Sequence, residues 1–554
     1  MKIILAQQNY HIGNFELNTQ KILDGIKAAE AQGADLVVFS ELCVCGYPPR
    51  DFLEFEDFIQ QSYAAIDTIK AHTANIGVLV GGPSRNTQPE GKDLFNAAWF
   101  LHEGEVKQVI HKTLLPTYDV FDEYRYFEPS YAWNVVPFKG RKLAVTICED
   151  IWNLGDNPLY RVCPMDQMIE QQPDVMINLS ASPFDYDHAQ NRKEIIRANV
   201  RKYGIPMYYC NAVGSQTEIV FDGGSIIFDA QGNVVKELPY FEEAIDGYDL
   251  DVLLQSKQPV ADTVYTPVME LLPEYNIDRI YQAIVLGIKD YFQKMGFKKA
   301  ILGSSGGIDS AVTLALAVEA LGKENVRAIL MPSPYSTEHS VDDAVALSKN
   351  LDNPYDIIRI NDIYESFLET LNPYFEGRPF NVAEENTQSR IRGNLLMGLA
   401  NKFGYILLNT SNKSELSTGY GTLYGDMAGG LAVLGDVYKM QVYALARYIN
   451  REKEIIPANI IDKAPSAELR PNQKDSDSLP DYATLDRILY QYIERRQSPK
   501  EIIAQGFDAA LVARTLKMVN TNEYKRNQFC PIIRVSSKAF GVGRRVPIVG
   551  KYLS

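Results

Sequence analysis

A glycine-rich turn in the second half of the chain has the residue types that bind phosphate. The stretch 305–310 has the sequence SGGIDS and stands between an apolar run of strand character and an apolar helix pattern. Gly306 and Gly307 let a ligand approach the backbone closely, and the amides at the start of the following helix carry partial positive charge. Asp309 adds a carboxylate, which makes chemical sense if a Mg2+ ion lies between it and the phosphates. Because the turn contains no lysine, it is not a Walker A loop.

A cysteine, a lysine and a carboxylate in the first half form a second candidate site. Cys148 follows the apolar strand pattern 143–147, where a turn can expose its sulfur, and Glu41 and Lys112 also stand at the ends of strand patterns. In acyl transfer the acid takes the thiol proton, the ammonium group stabilises the oxyanion, and the thiolate attacks. Spacing alone does not select these three from all the acids, lysines and cysteines of this half, and a buried inert cysteine is the usual alternative.

The first half of the chain mixes strand patterns with amphipathic helices, which is typical of an α/β layered domain. A hairpin is predicted over 225–235, with its turn at 231–233. A helix is predicted over 191–203, and strands are predicted over 36–40, 76–81, 94–101, 143–147, 175–179 and 207–211.

From residue 298 onward, strand and helix patterns alternate regularly, which predicts a doubly wound parallel sheet. The predicted strands are 298–303, 326–331, 355–360 and 405–410, and the predicted helices are 309–321, 340–351 and 382–403. Ligands of such sheets bind at the carboxyl ends of the strands, so we expect Ser305, Pro332 and Thr410 to line one crevice.

Two segments lack these patterns. The segment 246–270 contains a predicted crossing segment over 258–263, so we predict one domain over 1–245, a linker over 246–270 and a second domain over 271–554. The segment 465–482 is rich in Pro, Ser, Asp and Lys and is predicted to be a mobile loop. Its residues 469–482 are suited to closing over the second site and keeping water from an activated carboxylate.

The composition is that of an ordinary soluble globular protein, with 554 residues, 46% of them hydrophobic and 23% charged. The net charge of −15 argues against nucleic acid as a partner, and no apolar run is long enough to span a membrane. The six cysteines form no CxxC pair and the six histidines no metal-ligand pair, so we expect reduced thiols, a cytoplasmic location and no histidine-built zinc site. The N-terminal MKIILAQQN is too short for a signal peptide and is predicted to be the first strand.

Four blocks of the first half, FSELCVCGYPPRDF, HKTLLPTYDVFDEYRYFEP, TICEDIWN and NLSASPF, resemble the nitrilase, or carbon–nitrogen hydrolase, superfamily. The resemblance implies an α-β-β-α sandwich with a Glu-Lys-Cys triad. In it Glu41 is the general base, Lys112 the oxyanion and orientation residue, and Cys148 the nucleophile. Positions that hold glutamine in the glutamine-hydrolysing branch match Tyr118, Ser182 and, where relatives often have a basic residue, His188.

The turn SGGIDS resembles the pyrophosphate loop of the PP-loop superfamily. Its Rossmann-like adenine nucleotide α-hydrolase domains cleave ATP between the α and β phosphates and adenylate an acceptor. Six further blocks make the whole chain similar to the glutamine-dependent NAD+ synthetases: LGSSGGIDSA, MPSPYS, EENTQSRIRGN, NTSNKSELSTGYGTLYGDMAGG, PSAELRPNQKDSDSLPDY and EYKRNQ. This resemblance implies a homo-oligomer in which ammonia from glutamine amidates adenylated deamido-NAD+, the last step of NAD+ biosynthesis.

The same resemblance assigns the residues of the second site. The ATP-binding positions are Gly303, Ser304, Ser305, Gly306, Gly307, Ile308, Asp309, Ser310 and Thr410. The Mg2+ positions are Asp309 and Glu415. The deamido-NAD+ positions are Asn386, Glu415, Tyr420, Gly421, Thr422, Leu423 and Lys525. Arg390, Arg392 and Lys413 have the charge to bind phosphates or a carboxylate, but each is as often a solvated surface charge, so which of them contacts substrate stays open.

Three other functions fit parts of the pattern. Another glutamine-dependent PP-loop amide ligase would carry a Cys-His-Glu glutaminase or an N-terminal cysteine, whereas residue 2 is Lys. A PP-loop tRNA-modifying enzyme is disfavoured by the acidic balance and the missing CxxC pair. A non-catalytic nucleotide sensor needs no nucleophile, and it would bind nucleotide without releasing pyrophosphate.

Overall fold

The structure, a computed structural model, describes residues 1–154, 158–255, 267–471 and 473–553. The chain divides into two compact units, Met1–Pro267 and Val268–Ser554. Each unit has its own sheets and its own hydrophobic core.

The elements of the first unit are numbered in chain order. Its strands are β1 (Lys2–Gln7), β2 (Leu36–Val38), β3 (Gly77–Arg85), β4 (Leu94–His102), β5 (Glu105–His111), β6 (Val136–Phe138), β7 (Arg141–Ile147), β8 (Val175–Ser180), β9 (Met207–Asn211), β10 (Val213–Gln216), β11 (Ile219–Asp222), β12 (Ile226–Phe228), β13 (Val234–Glu237) and β14 (Ala244–Asp249). Its helices are α1 (Phe15–Ala31), α2 (Glu56–Lys70), α3 (Pro164–Met168), α4 (His188–Tyr203) and α5 (Leu250–Gln255).

Two six-stranded sheets pack face to face in the first unit, in the orders β14-β1-β2-β3-β4-β5 and β13-β12-β9-β8-β7-β6. Successive side chains of a strand point to opposite faces, as β7 illustrates. Leu143, Val145 and Ile147 lie in the core between the sheets, whereas Ala144 packs in the outer cluster that includes Ile196 of α4. Helices α1 and α2 contact the other sheet. The arrangement confirms the predicted α-β-β-α sandwich.

The second unit contains shorter strands and more helices. Its strands are β15 (Ala300–Gly303), β16 (Val326–Leu330), β17 (Tyr355–Ile357), β18 (Ile406–Asn409) and β19 (Leu431–Ala432). Its helices are α6 (Ile277–Met295), α7 (Ile308–Leu321), α8 (Glu338–Leu351), α9 (Asn361–Leu371), α10 (Val382–Phe403), α11 (Lys413–Thr418), α12 (Lys439–Ile449), α13 (Ala458–Asp462), α14 (Tyr482–Ile493), α15 (Pro499–Ala504), α16 (Ala509–Thr521) and α17 (Glu523–Arg526).

The five strands of this unit form one parallel sheet in the order β17-β16-β15-β18-β19. The chain moves outward from β15 to β17 and then returns to β18 on the other side of β15. The order therefore reverses between β15 and β18, and their carboxyl ends open a crevice there. Helix α7, which follows β15, is apolar along most of its length because it is buried from Ser310 to Ala317. The predicted doubly wound sheet is confirmed.

Most predicted elements agree with the structure to within a few residues, which is the usual uncertainty of helix and strand ends. Helix α4 begins at His188 rather than at 191. The first part of the predicted linker forms the end of β14 and all of α5, and β14 pairs antiparallel with β1. The predicted crossing segment 258–263 lies outside the described residues. The segment 465–482 contains the short 3-10 turn Asp475–Asp477 and leads into α14, and its mobility stays a prediction.

Among the described residues, no helix combines the length and the apolar character needed to cross a membrane. All six cysteines are free thiols.

Candidate active sites

In the first unit, two strand ends and a turn bring two carboxylates and a lysine together. Glu41 follows β2, Lys112 follows β5, and Glu123 lies on the 3-10 turn Glu123–Arg125. The Lys112 Nζ atom lies 2.7 Å from Glu41 Oε1 and 2.9 and 2.8 Å from the two Glu123 oxygens. Asn96 on β4 donates to both carboxylates, at 2.7 Å to Glu41 and 3.3 Å to Glu123. All four side chains are buried, so this is a desolvated ion cluster.

The charges of the cluster are set by burial and by mutual attraction. Burial by itself would lower the pKa of the Lys112 ammonium group, but the facing carboxylates of Glu123 and Glu41 raise it well above its ordinary value. Burial raises the pKa of Glu123 to about 7, although Lys112 acts in the opposite direction. Lys112 is therefore a fixed positive charge that the site keeps at neutral pH.

Cys148 is the first residue after β7 and begins the short 3-10 turn Cys148–Ile151. Its φ angle of 40° lies in the left-handed region, a strained geometry for a residue with a side chain. The turn leaves the thiol buried and does not expose its sulfur, because the side chain packs in the core between the two sheets. Burial, followed by the Glu41 carboxylate, raises the pKa of the thiol well above its ordinary value, while Lys112 lowers it. The site thus places a thiol with a raised pKa under the opposing influences of the Glu41 and Lys112 charges.

Asp150 joins the lysine segment to the cysteine turn. Its Oδ1 atom accepts hydrogen bonds from the backbone N–H groups of Thr113 at 3.0 Å and Leu114 at 2.8 Å. Its Oδ2 atom accepts from the N–H of Ile147 at 3.0 Å. Because these amides directly adjoin the lysine and the cysteine, one buried carboxylate fixes both segments. Burial raises the pKa of Asp150 to about 6, and the backbone donors oppose that rise.

The predicted glutamine-binding residues form two hydrogen-bonded groups. The Tyr118 hydroxyl donates to the Glu149 carboxylate at 2.9 and 3.0 Å, and the Tyr160 hydroxyl donates to it at 3.1 Å. Burial raises the pKa of Glu149 to about 7. Ser182 Oγ lies 2.8 Å from Nε2 of His188, the first residue of α4. Glu149, although it adjoins the cysteine in the chain, is thus bound to two tyrosine hydroxyls.

In the second unit, the carboxyl ends of β15, β16 and β18 surround a cavity of about 300 Å3. Ser305, Pro332 and Thr410 all line it. The predicted ATP-binding residues on its wall are Gly303, Ser304, Ser305, Gly307, Ile308, Asp309, Ser310 and Thr410. The Ser304 hydroxyl is buried and has no hydrogen-bond partner within the part of the chain that the structure describes. A ligand in the cavity would satisfy it.

The glycine turn is folded for close approach of the backbone. Gly306 has a φ angle of 80°, and a Cβ atom there would lie 2.2 Å from the carbonyl oxygen of Ser340 on α8. Ser310 Oγ accepts from the Ser305 N–H at 3.2 Å and donates to the Gly307 carbonyl at 2.9 Å. These bonds hold the turn against the first turn of α7, where N–H groups have no partner within the helix.

Two carboxylates and a lysine meet at this cavity. Lys439, the first residue of α12, donates to Asp309 and lies 3.7 Å from Glu415. Asn412 donates to the other Asp309 oxygen at 2.8 Å. Burial, then the Asp309 charge, raises the pKa of Glu415 to about 8, while Lys439 opposes this. Two carboxylates that repel each other in a buried position are stabilised by a cation.

Known proteins share both halves of this arrangement. The carbon–nitrogen hydrolase family model matches residues 2–256, and the NAD synthase family model matches residues 280–529. The chain is 45% identical to the glutamine-dependent NAD(+) synthetase of Synechocystis sp., over 99% of this chain and 98% of that protein. It is 42% identical to the enzyme of that name from Thermotoga maritima, over 100% of this chain and 99% of that protein. The chain belongs to the glutamine-dependent NAD+ synthetase family.

A solved structure of that family has the same fold. The glutamine-dependent NAD+ synthetase from Acinetobacter baumannii, in complex with ADP, is similar to this chain with a TM-score of 0.75 and 38% identity. The similarity covers 99% of this chain and 98% of that one. An adenine nucleotide was therefore bound to a relative of the same architecture.

In this member of the synthetase family, two separate sets of hydrogen bonds involve the predicted deamido-NAD+ residues. Thr422 Oγ1 donates to Asn386 Oδ1 on α10 at 2.7 Å. Lys525 on α17 donates to the carbonyls of Gly419 and Gly421 at 2.7 and 2.9 Å. The remaining predicted residues follow α11 or lie on it: Glu415 and Tyr420, which line the cavity, and Leu423.

The acidic pair at the cavity fits Mg2+ that arrives with a nucleotide. In the described ranges, no group of three or more His, Cys, Asp or Glu side chains is arranged to hold a metal ion. Mg2+ needs no such group, because it takes one or two carboxylates and completes its shell with phosphate oxygens and water. Asp309 and Glu415 supply two carboxylates beside the glycine turn.

The structure places the three basic residues whose roles the sequence leaves open in different environments. Arg392 lines the cavity and donates from Nε to the Met331 carbonyl at 3.0 Å. Arg390 is exposed and donates to the Leu423 carbonyl at 3.2 Å, beside the predicted deamido-NAD+ residues. Lys413 instead lies in the protein interior.

Lys413 is enclosed by a network of its own. Its Nζ atom lies 2.9 Å from Asp436, 3.0 Å from Glu494 and 2.7 Å from the Ser536 hydroxyl, and its side chain has no exposed surface. Burial by itself would lower the pKa of Lys413, but Asp436 and Glu494 raise it above its ordinary value. Lys413 therefore stabilises the second unit and does not contact a ligand of the cavity.

We expect Lys413→Met to destabilise the protein strongly, because it leaves Asp436 and Glu494 buried without their cation. Removing one partner of such a group costs about 3–5 kcal/mol. Thermal unfolding followed by circular dichroism should show the affected transition lowered by roughly 10 °C. Lys402→Met, at an exposed position of α10, is the control and should leave the transition in place. An unchanged unfolding temperature for Lys413→Met would contradict this assignment.

Four residues of the two sites were not found from the sequence: Asn96, Glu123, Asn412 and Lys439. Glu123 and Asn412 lie inside blocks that carry the family resemblance, so a signal was present for them. Lys439 lies in none of those blocks, and Asn96 is one polar residue within an apolar strand. Only the folded chain shows that Asn96 contacts Glu41 and that Lys439 contacts Asp309.

Proposed function

We propose that this protein makes NAD+ from deamido-NAD+, with glutamine as nitrogen donor and ATP as the activating nucleotide. The observation that supports this most directly is that one chain contains two sites, each with the side chains that its half of the reaction needs. One unit holds Cys148 beside the Glu41–Lys112 ion pair, and the other holds Asp309 and Glu415 at a cavity suited to a nucleotide.

The first site releases ammonia from glutamine. Glu41 takes the proton of the Cys148 thiol, and the thiolate attacks the side-chain amide carbon to form a tetrahedral oxyanion. Lys112, held positive by its two carboxylates, stabilises that oxyanion. The C–N bond breaks, the proton held by Glu41 passes to the leaving nitrogen, and ammonia departs. Water then attacks the thioester while Glu41 accepts its proton, the C–S bond breaks to release glutamate, and Glu41 returns the proton to the Cys148 sulfur. Tyr118, Ser182 and His188 hold the substrate.

The second site activates the acceptor and joins it to ammonia. A carboxylate oxygen of deamido-NAD+ attacks the α phosphorus of ATP, and pyrophosphate leaves. Ammonia then attacks the acyl carbon of the adenylate, and AMP leaves as the amide forms. The turn Gly303 to Ser310, with Thr410 and Lys439, binds the ATP phosphates. The acceptor is held by Asn386, Glu415, Tyr420, Gly421, Thr422, Leu423 and Lys525.

Asp309 and Glu415 hold Mg2+ in this proposal, together with phosphate oxygens. When bound, Mg2+ would supply positive charge beside the phosphates, and Asp309 and Glu415 are the residues that would hold it. Asn412 keeps the Asp309 carboxylate in place through its 2.8 Å hydrogen bond.

Arg392 is a further contact of the anionic substrates in this proposal. Burial lowers its pKa to about 10, although Asp426 and Glu468 act in the opposite direction, so it is charged at neutral pH. We expect Arg392→Gln to lower kcat/KM of ammonium-driven synthesis roughly tenfold to a hundredfold, since hydrogen bonds to charged groups contribute about 1.5–3 kcal/mol. Arg447→Gln is the control, because Arg447 forms an exposed ion pair with Glu274. An unchanged kcat/KM for both ATP and deamido-NAD+ would remove Arg392 from the site.

The proposed function is tested by incubating the protein with deamido-NAD+, ATP and Mg2+, with glutamine or ammonium as nitrogen donor. We expect NAD+ from both donors, with AMP and pyrophosphate formed in equal amounts. Steady glutamine hydrolysis without NAD+ would indicate a different PP-loop amide ligase, and other carboxylates would then be screened as acceptors. Nucleotide binding without pyrophosphate release would indicate a sensor.

Three further expectations accompany this function. We propose that the enzyme is a cytoplasmic homo-oligomer whose partners are its small-molecule substrates. We also propose that its catalytic domains lie within 1–245 and 271–554, joined by the segment 246–270. Light scattering measures the oligomeric state, limited proteolysis tests the domain bounds, and cell fractionation tests the location.

A further inference from the structure

Asp486 is a buried carboxylate behind the second site whose contacts the reaction above does not use. It lies on α14 and has no exposed surface. Its Oδ1 atom accepts a hydrogen bond from the Ser414 hydroxyl, and its Oδ2 atom accepts from the backbone N–H of Met440 at 2.9 Å. Ser414 Oγ in turn accepts from the backbone N–H of Lys439 at 2.9 Å. These hydrogen bonds form a short series that connects α14 to the first turns of α11 and α12.

The first turns of these two helices carry Glu415 and Lys439, which line the cavity of the second unit. Ser414 immediately precedes Glu415 in the first turn of α11, and Lys439 and Met440 are the first two residues of α12. The first N–H groups of a helix have no partner within it, so they need acceptors from elsewhere. Asp486 accepts one of these N–H groups directly, that of Met440, and holds the Ser414 hydroxyl that accepts the other, that of Lys439.

Asp486 is also separated from the cavity. The residues that line the cavity include Asp309, Glu415 and Lys439 from this neighbourhood, but not Asp486 or Ser414. Asp486 therefore acts on substrate only through the groups that it holds.

We propose that Asp486 is a positioning residue of the amidating site, which sets the separation of Glu415 and Lys439 through Ser414 and the Met440 N–H. The inference rests on the proposed function, because those two side chains are taken to bind phosphate and Mg2+. Such groups must be held to within a fraction of an ångström to act together on one ligand. A carboxylate that ties two helix starts together provides that constraint.

The test uses Asp486→Asn and Ser414→Ala in the full-length protein. The asparagine side chain would keep the size of the carboxylate but place an NH2 group against a donor, and Ser414→Ala would remove the link to the Lys439 N–H. We expect each variant to lower kcat/KM for ATP at least tenfold in ammonium-driven synthesis and to raise the Mg2+ concentration at half-saturation. Basal glutamine hydrolysis should change less than twofold. The double variant should lose little more activity than the worse single variant, because both substitutions break the same series of hydrogen bonds.

A stability-matched control separates positioning from general destabilisation. Ile502→Ala removes a buried side chain from the cluster of Ile488, Val512 and Leu516, with none of the polar contacts of Asp486. It should lower the melting temperature without changing KM for ATP. The proposal is overturned if Asp486→Asn and Ser414→Ala keep the parent's kinetic constants, or if their losses match those of Ile502→Ala.

A binding measurement keeps this result distinct from failure of the proposed function. Calorimetric titration with ATP and Mg2+ requires no acceptor. If the parent makes no NAD+ but binds ATP at least tenfold more tightly than Asp486→Asn, the proposed acceptor is wrong and the positioning role stands. Equal affinities for parent and variant reject the positioning role.

Discussion

Cys148→Ala should abolish glutamine-driven NAD+ synthesis and leave ammonium-driven synthesis unchanged. The thiol forms the covalent intermediate, so no other group of the site can replace it, and we expect a loss of at least about 10³-fold in glutamine hydrolysis. Ammonium supplied from solution yields free ammonia directly and bypasses the first site. Alanine is tolerated structurally, because the thiol is a small buried group between two sheets.

The measurement compares NAD+ formation with each nitrogen donor at saturating ATP and deamido-NAD+. Cys210→Ala is the matched control: Cys210 is also a free, buried cysteine of the same core, and its thiol donates weakly to the backbone carbonyls of Ala6 and Val38. That variant should keep glutamine-driven synthesis. If Cys148→Ala also loses ammonium-driven synthesis while remaining folded, the two sites do not divide the reaction as proposed.

Asp309→Ala should remove synthesis with either nitrogen donor while basal glutamine hydrolysis continues. The substitution deletes the carboxylate that pairs with Lys439 and accepts from Asn412, and with it one proposed Mg2+ ligand. Loss of metal-assisted charge stabilisation costs several kcal/mol, which corresponds to about 10²–10³-fold in rate.

The experiment follows pyrophosphate release as well as NAD+. Asp356→Ala, which removes an exposed partner of Arg327 in the same sheet, is the control and should retain activity. Pyrophosphate release at more than about a tenth of the parental rate in Asp309→Ala would show that this carboxylate does not support the adenylation step.

Local sequence patterns predict those elements of the fold that depend mainly on interactions between residues close together in the chain. The glycine turn and α7 follow from two glycines and a long apolar run, and the parallel sheet follows from the alternation of short apolar runs with helices. No helix after residue 410 is predicted from these patterns. The short helices of that region, such as α15, depend on packing between distant residues, including Ile488 and Val512.

The two lysines Lys413 and Lys439 show why the site was only partly predictable. Each begins a helix, but the sequence favours Lys413, because it follows a predicted strand within a block of the family resemblance, whereas Lys439 lies in no such block. The fold determines which lysine reaches the cavity. Lys413 is enclosed by Ser536 and the Lys538 carbonyl, which lie more than a hundred residues further along the chain. Lys439 is left facing Asp309. Glu123 was missed for the same reason, since its approach to Lys112 depends on how a turn folds back onto a strand end.

The burial of Cys148 has a consequence for chemical selectivity. Peroxides and electrophiles react with thiolates much faster than with thiols, and they need access to the sulfur. Between turnovers Cys148 has neither a thiolate nor an accessible sulfur, because its pKa is raised and its side chain is buried. The proposed nucleophile is thereby protected from oxidants in the resting enzyme, and in the proposed mechanism it becomes reactive when Glu41 takes its proton. The same burial that makes the thiol a weak acid keeps it intact for the next substrate.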